Sequence, residues 1–314
     1  MDERFHDGVD PQLLAQLGER RDGPGLVRLG VQFTLLLGSG ALLVGATTPL
    51  AWSLGIALQG IAQVAFFGLL HECGHKTAFR SAWLNALGSW VASLPQLMAP
   101  AMFQEFHFTH HRHTHDLAHD PELAGLEFMA RWPRGLLWLG TVSGLPVLFG
   151  RVAFMVSSAL PLPTAVWERA LPFVRARRRR VVAWQSRGLL VLHVAFVAAA
   201  WAWAPQLLRL YLGTLFSHLL LSIYITCEHR GLPQEGSILE RTRTFDPGPV
   251  VRFLFWNMPY HAEHHAYPAV PFHALPALHT ELLPQLRHNV GGILGLHLRG
   301  GRAARVSVSS LDMH

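Results

Sequence analysis

Apolar residues in this chain gather into long runs rather than short periodic faces. The first run extends from about residue 26 to 47 (LVRLGVQFTLLLGSGALLVGAT), and a second follows Pro49 from about 50 to 70. Two more cover 188–204 (GLLVLHVAFVAAAWAWA) and 206–227. Each is close to the ~20 residues that a helix needs to cross a bilayer. The link between the first two runs carries no charge. The pattern therefore predicts four transmembrane helices arranged as two hairpins. Residues 82–100 are also apolar, but Pro95 and Pro100 interrupt them, and 135–160 are interrupted by Gly144, Pro146, Gly150 and Arg151. Both segments read better as interfacial or re-entrant helices than as spans.

Charge at the ends of the runs gives an orientation. Arg20, Arg21 and Arg28 lie at the entrance of the first hairpin, and Lys76 and Arg80 at its exit. The positive-inside rule places both ends in the cytoplasm, with Trp201 and Trp203 at the far interface. The expected fold is an all-α integral membrane protein of two hairpins with interfacial helices and a histidine-rich cytoplasmic cap. Its expected parts are an N-terminal cytoplasmic lead-in (1–25), a membrane domain (26–290) and a C-terminal tail (291–314).

Composition agrees with this reading. Half of the 314 residues are hydrophobic and only 15% are charged, against roughly 25% in soluble proteins. The net charge of +6 owes much to RARRRR at 175–180. That run directly precedes an apolar span, so a flank facing anionic lipid explains it better than nucleic acid does. Cys73 and Cys227 give no disulfide framework and read as small buried helix residues. The polar N-terminus is not a cleavable signal peptide.

Against this greasy background stand three histidine clusters: HECGH at 71–75, HFTHH at 107–111 and HAEHH at 261–265. His71 and His75 are four apart. His107, His110 and His111 repeat the offsets i, i+3 and i+4, as do His261, His264 and His265. On a helix these offsets share one face. Eight imidazoles are too many for one metal ion and about right for two. All three clusters are expected on the cytoplasmic side, and the last span delivers His229 there as well.

HECGH also fits the H-E-x-x-H helix of zinc proteases, with Glu72 as the general base. A zincin needs one further ligand, whereas this chain supplies two further triplets. Glu72 is then expected to hold an imidazole in place instead. His115, Asp116 and Asn257 are assigned the same supporting role; His115 is also placed to replace a ligand of the second cluster. Asp120, Glu122 and Glu263 are acceptors for ligand rings or surface charges. His193 and His218 lie inside predicted spans; an interhelical hydrogen bond is the better reading for His193, and His218 is too far from His229 to share its metal. The isolated His6 has no expected part in the site. A histidine-rich, carboxylate-poor metal pair at a membrane surface suits oxidation of a lipid C–H bond better than hydrolysis.

The order and spacing of the three clusters resemble the membrane fatty acid desaturase family, whose boxes read HxxxH, HxxHH and HxxHH. DPEL at 120–123 and NMPYHAEHHAYPAVPFHALPALH add to the likeness, which covers roughly residues 26–290. The resemblance implies two non-haem irons, O₂ as co-substrate and an acyl lipid entering from the bilayer. It also implies a ninth ligand after the fourth span, and His229 is the residue in that position. An asparagine that some members place one turn earlier is Ile225 here. No cytochrome b5-like segment is visible, so electrons are expected from a separate carrier such as an acidic ferredoxin docking on the basic face. A hydroxylase or carotenoid ketolase on the same scaffold is the alternative. A zinc membrane protease and a non-catalytic metal-binding or transport protein are the readings from other classes.

Overall fold

The computed structural model describes residues 8–302. His6 and the end of the expected C-terminal tail lie outside the described residues. The described residues are mostly helical, and among them four helices are long and apolar enough to cross a membrane. The elements used below are α1 (Asp22–Gly45), α2 (Pro49–His75), α3 (Ala82–Gln96), α4 (Pro100–Arg112), α5 (Gly135–Val142), α6 (Leu145–Ala159), α7 (Arg179–Trp203), α8 (Leu210–Thr226) and α9 (His261–Ala266). The spans are α1, α2, α7 with the preceding turn, and α8 with the turn from Pro205.

Local chemistry sets several boundaries. Thr48 caps α2 by accepting from the Ala51 amide at 3.2 Å, and Pro49 opens the helix. Asp22 opens α1 and also takes the amide and hydroxyl of Ser81, at 2.9 and 2.6 Å. That contact ties the start of α1 to the turn after α2. Two helices outrun the apolar stretches that predict them. The α2 helix continues through His75, because the first histidine cluster is its last turn. The α7 helix starts at Arg179, inside the arginine run, where long side chains can reach water while the backbone stays helical.

The α2 helix is the centre of the bundle and packs against α1, α3 and α8. Two-thirds (67%) of its apolar window is buried, against 22% for α1 and 17% for α7. Small residues let α2 and α8 approach: a methyl on Gly213 would lie 2.4 Å from the side chain of Gln59. Several polar groups within the bundle are paired. Ser39 donates to Gln59 at 2.6 Å, Gln96 to the Gln63 carbonyl at 2.8 Å, and His193 meets Tyr211 at 2.9 Å. The outer faces of α1 and α7 are apolar and open, with Leu37 69% and Trp203 83% exposed. Lipid tails can cover such a surface; water would not favour it.

The interrupted segment 135–160 forms α5 and α6, bent by 50° at their junction. Gly144 sits at that junction with φ +76°, and a methyl there would lie 2.3 Å from the amide nitrogen of Leu219 in α8. Both the left-handed backbone and the close approach require glycine. The buried Arg151 of α6 donates to the Gln96 carbonyl at 2.9 Å. A charged side chain turned into the bundle and a sharp bend mark this pair as different from the four straight spans.

The arginine run is partly structural. Arg175 grips Glu105 of α4 through two guanidinium contacts at 2.8 and 2.6 Å, and Arg178 adds a third at 3.3 Å. Burial would raise the Glu105 carboxyl, but Arg175 and Arg178 outweigh it and hold it below its ordinary range. These contacts fix the helix that carries the second histidine cluster.

Substituting Gly144→Ala is expected to destabilise the fold by about 2–3 kcal/mol, from left-handed strain plus the clash with α8. Gly140→Ala, with nothing within 4 Å of the added methyl, is expected to be neutral or slightly stabilising. Thermal unfolding of the detergent-solubilised variants checks both.

Candidate metal centre

The three histidine clusters and His229 converge. Side-chain nitrogens of His71, His75, His107, His111 and His264 form one group, and those of His110, His229, His261 and His265 form another. Within each group the ligand atoms lie within 4.8 Å of one another.

Helix geometry explains the division. Residues four apart are separated by ~40° around a helix, whereas the residue at i+3 lies ~60° to the other side. In α4, His107 and His111 therefore enter the five-histidine lobe, and His110 turns to the other. In α9 the roles reverse: His261 and His265 share the four-histidine lobe, and His264 crosses to the first. His71 and His75 come together from the last turn of α2. Each of the two HxxHH clusters thus serves both lobes, which the sequence spacing alone did not assign.

The donor atoms fit a metal better than they fit one another. His107 Nε2 lies 2.9 Å from His75 Nε2 and 3.0 Å from His111 Nε2. His264 Nε2 lies 3.2 Å from His111 Nε2, and His261 Nε2 lies 3.0 Å from His229 Nε2. Two nitrogens each ~2.1 Å from one ion and at right angles are ~3.0 Å apart, so these contacts have the length of coordination-polyhedron edges. The buried Nε2 atoms of His71 and His265 have no hydrogen-bond partner. Burial, followed by neighbouring imidazoles, holds His107, His111, His261, His264 and His265 well below the usual histidine range. They are neutral, the form that ligates.

Neighbouring groups hold the second ring nitrogen of His71, His110, His229 and His265. Glu72 Oε1 lies 3.1 Å from His71 Nδ1, while its second oxygen accepts from Thr77 at 2.7 Å and from the Phe272 amide at 3.3 Å. Both oxygens of that carboxylate are thus engaged by groups around the first cluster. Asp120 places both oxygens 3.0 Å from His110 Nδ1. Burial lowers the His110 imidazole, but Asp120 and Glu122 outweigh it and push it up to about 9. A positive charge is therefore favoured at His110, as a proton or as a metal on its far side. His229 Nδ1 donates to the Arg241 carbonyl at 2.9 Å, and Thr114 lies 3.2 Å from His265 Nδ1. Glu228 Oε1 is 3.5 Å from His261 Nδ1.

Other expected supports fall elsewhere. His115 is buried and donates to the Pro233 carbonyl at 2.8 Å, while its backbone amide bonds Asp120 at 2.7 Å. Its ring stands outside both groups. Asn257 donates to the Phe272 carbonyl at 2.9 Å, on the peptide segment whose amide reaches Glu72. Asp116 faces solvent and pairs with His119 at 2.8 Å instead of with a ligand ring. Glu263 is buried, held by Thr244 and His279. His218 bonds the Thr214 carbonyl at 2.8 Å within α8. Glu228 was not singled out in the sequence, although it directly precedes His229; no spacing rule points to it.

A bundle with four helices long and apolar enough to span a membrane, carrying two groups of histidines that could each hold a metal ion, is a narrow class of architecture. A sequence profile of the family described as "Fatty acid desaturase" matches residues 47–294, and the chain belongs to that family. Among curated proteins it is 25% identical over 238 residues to a Caenorhabditis elegans protein named "Putative sphingolipid delta(4)-desaturase/C4-monooxygenase", covering 74% of this chain and 58% of that one. It is 24% identical over 242 residues to the C. elegans Delta(5) fatty acid desaturase fat-4, covering 69% and 54%. A shorter match, 32% over 93 residues, links it to a Picosynechococcus sn-1 oleoyl-lipid 12-desaturase, covering 26% and 27%. The chain thus spans little more than half the length of its two nematode relatives.

Replacing Asp120 with Asn is expected to weaken metal retention in the four-histidine lobe by about 10–100-fold. Metal analysis after a chelator challenge measures this, with the exposed Glu127→Gln as a control that should retain its metal.

Proposed function

We propose that this protein is an integral membrane oxidoreductase that introduces a double bond into an acyl chain of a lipid. The observation that carries the proposal is the division of nine histidines, seven buried and two half-buried, into two groups at coordination distances. Two irons held by His71, His75, His107, His111 and His264 and by His110, His229, His261 and His265 would supply O₂ activation. Overall, one –CH2–CH2– unit and O₂, with two electrons and two protons, become –CH=CH– and two waters. The chain's own residues favour the neutral form at His107, His111, His261, His264 and His265, orient His71 and His110 through Glu72 and Asp120, and hold the centre away from bulk water.

An apolar cavity supports an acyl substrate. It has a volume of about 700 Å³ and lies between the spans, lined by Phe33, Leu36, Gln59, Phe66 and Leu210 among others. Along α2, Phe66 lies ~8 Å and Gln59 ~18 Å from His71 at 1.5 Å per residue. The space therefore follows the central helix away from the metal ligands into the membrane-spanning region. A lipid chain lying there buries its methylenes against matching side chains. The named substrates of the relatives, a sphingolipid, a fatty acid and an oleoyl-lipid, share this acyl character.

Convergence of the ligands also favours one membrane face for all of them. His107–His111 precede α5 and α6, while His229 follows α8, and they meet in one centre. With α7 and α8 crossing out and back, α5 and α6 must enter and return on the same side. Their 50° bend suits a re-entrant pair. Arginines at the ends of the spans favour the cytoplasm for that face. The same scaffold suits an oxygenase, and the relative whose name joins desaturase and C4-monooxygenase keeps hydroxylation as the second reading.

Expression in a host of known lipid composition, followed by mass spectrometry of its lipids, tests the reaction. New acyl unsaturation is expected, and His71→Ala, His110→Ala or His264→Ala should each abolish it. A gain of one oxygen would favour the second reading, and unchanged lipids would contradict both.

The electron donor is proposed to be a separate acidic carrier docking at the arginine run. Arg178 and Arg179 contact Glu105 and Glu168, whereas Arg177 and Arg180 are exposed. The double variant Arg177→Glu/Arg180→Glu should slow reduction by an acidic ferredoxin roughly tenfold at low salt, with the difference fading at high salt. Equal rates at low salt would place docking elsewhere.

A further inference from the structure

A second kind of metal-binding chemistry lies just beyond α4, in side chains outside the nine. The sequence there reads H-x-x-D-x-x-H, at His113, Asp116 and His119. After α4 ends, the chain turns sharply: the Asp116 amide donates to the His113 carbonyl at 2.8 Å, and the His119 amide to the Asp116 carbonyl at 3.3 Å. The turn gathers all three side chains into one surface patch. His119 Nδ1 lies 2.8 Å and His113 Nδ1 4.0 Å from the same Asp116 oxygen. The two imidazole rings are 5.1 Å apart, centre to centre. Two nitrogens and one oxygen therefore sit within 4.8 Å of one another.

This patch differs from the buried centre in access. The side chains of His113, Asp116 and His119 are 39%, 38% and 64% exposed. Solvent can deliver an ion to them and fill the remaining coordination positions with water. Two imidazoles and a carboxylate select a divalent first-row transition metal over calcium or magnesium, which favour oxygen donors. Three protein ligands with open positions match the donor count of accessible zinc and ferrous sites.

We infer that His113, Asp116 and His119 form a third, solvent-facing site for a divalent transition-metal ion. The ion would cross-link the first and last residues of the turn 113–119. Asp120 follows immediately, accepting from the His115 amide and holding His110 in the buried centre. The surface ion therefore pins the loop that places the Asp120 carboxylate.

Cobalt(II), whose visible absorption reports its ligands, is a suitable probe. Iron-loaded protein in detergent is first washed with a chelator to remove loosely held ions, then titrated. One Co(II) per chain is expected to bind with no loss of iron, and amide exchange across 114–120 should slow on binding. The variant His113→Ala/His119→Ala should bind that ion at least tenfold more weakly while keeping its iron. If the double variant fails to hold iron, His119→Ala alone serves, since this side chain is largely in solvent. No Co(II) uptake by the wild type, or equal affinity in the variant that keeps its iron, would leave the cluster a hydrogen-bonded turn and overturn the site. Binding without slower exchange would overturn the pinning of the loop.

Discussion

Burial of the histidines is the constraint on which the rest of the structure depends. Nine imidazoles are turned toward one another, with ring nitrogens at 2.9–3.2 Å in several pairs. A neutral imidazole has one donor and one acceptor, and many of these rings already use a nitrogen on a carboxylate, a hydroxyl or a carbonyl. The inward nitrogens cannot all satisfy one another, and a buried polar group without a partner costs roughly 1–3 kcal/mol. One cation in each lobe would satisfy them together. The arrangement is thus a cost to the empty fold and a source of stability to the loaded one.

That requirement organises the surrounding architecture. The α2 helix runs past its apolar stretch because its last turn must present His71 and His75. The α4 helix is fixed from outside by Arg175 and Arg178 on Glu105, so part of a basic run that looks like a surface feature positions the second cluster. Loops from distant parts of the sequence bring Asp120, Thr114 and the Arg241 carbonyl to the backs of the rings. Two consecutive left-handed residues, Trp256 and Asn257, stand just before the third cluster. Asn257 bonds the Phe272 carbonyl, and the Phe272 amide reaches Glu72, so the strained turn and the first cluster share one small network.

Much of this was legible in the sequence where the physics is local. Uninterrupted apolar length marks a span, and i, i+3, i+4 spacing marks a ligating helix face. The same spacing could not say which histidine joins which lobe, because that depends on how α4 and α9 face each other. Glu228 was invisible for a similar reason: it lies 3.5 Å from His261, a residue far along the chain. Asp116 reads like Asp120 in the sequence, yet one faces solvent and the other closes on His110. The turn at 113–119 decides between them. The α2 helix begins at Pro49, where its apolar run begins, whereas its continuation through His75 and the start of α7 at Arg179, nine residues before the apolar run, were not legible.

The central claim is that the clustered histidines make a dinuclear centre. Iron and zinc analysis of the purified, chelator-washed protein tests it most directly. The account expects two irons per chain that resist the wash, each lobe losing its own ion when its histidines are replaced, as with His75→Ala and His261→Ala. A single tightly held zinc, or a metal content indifferent to both substitutions, would contradict it.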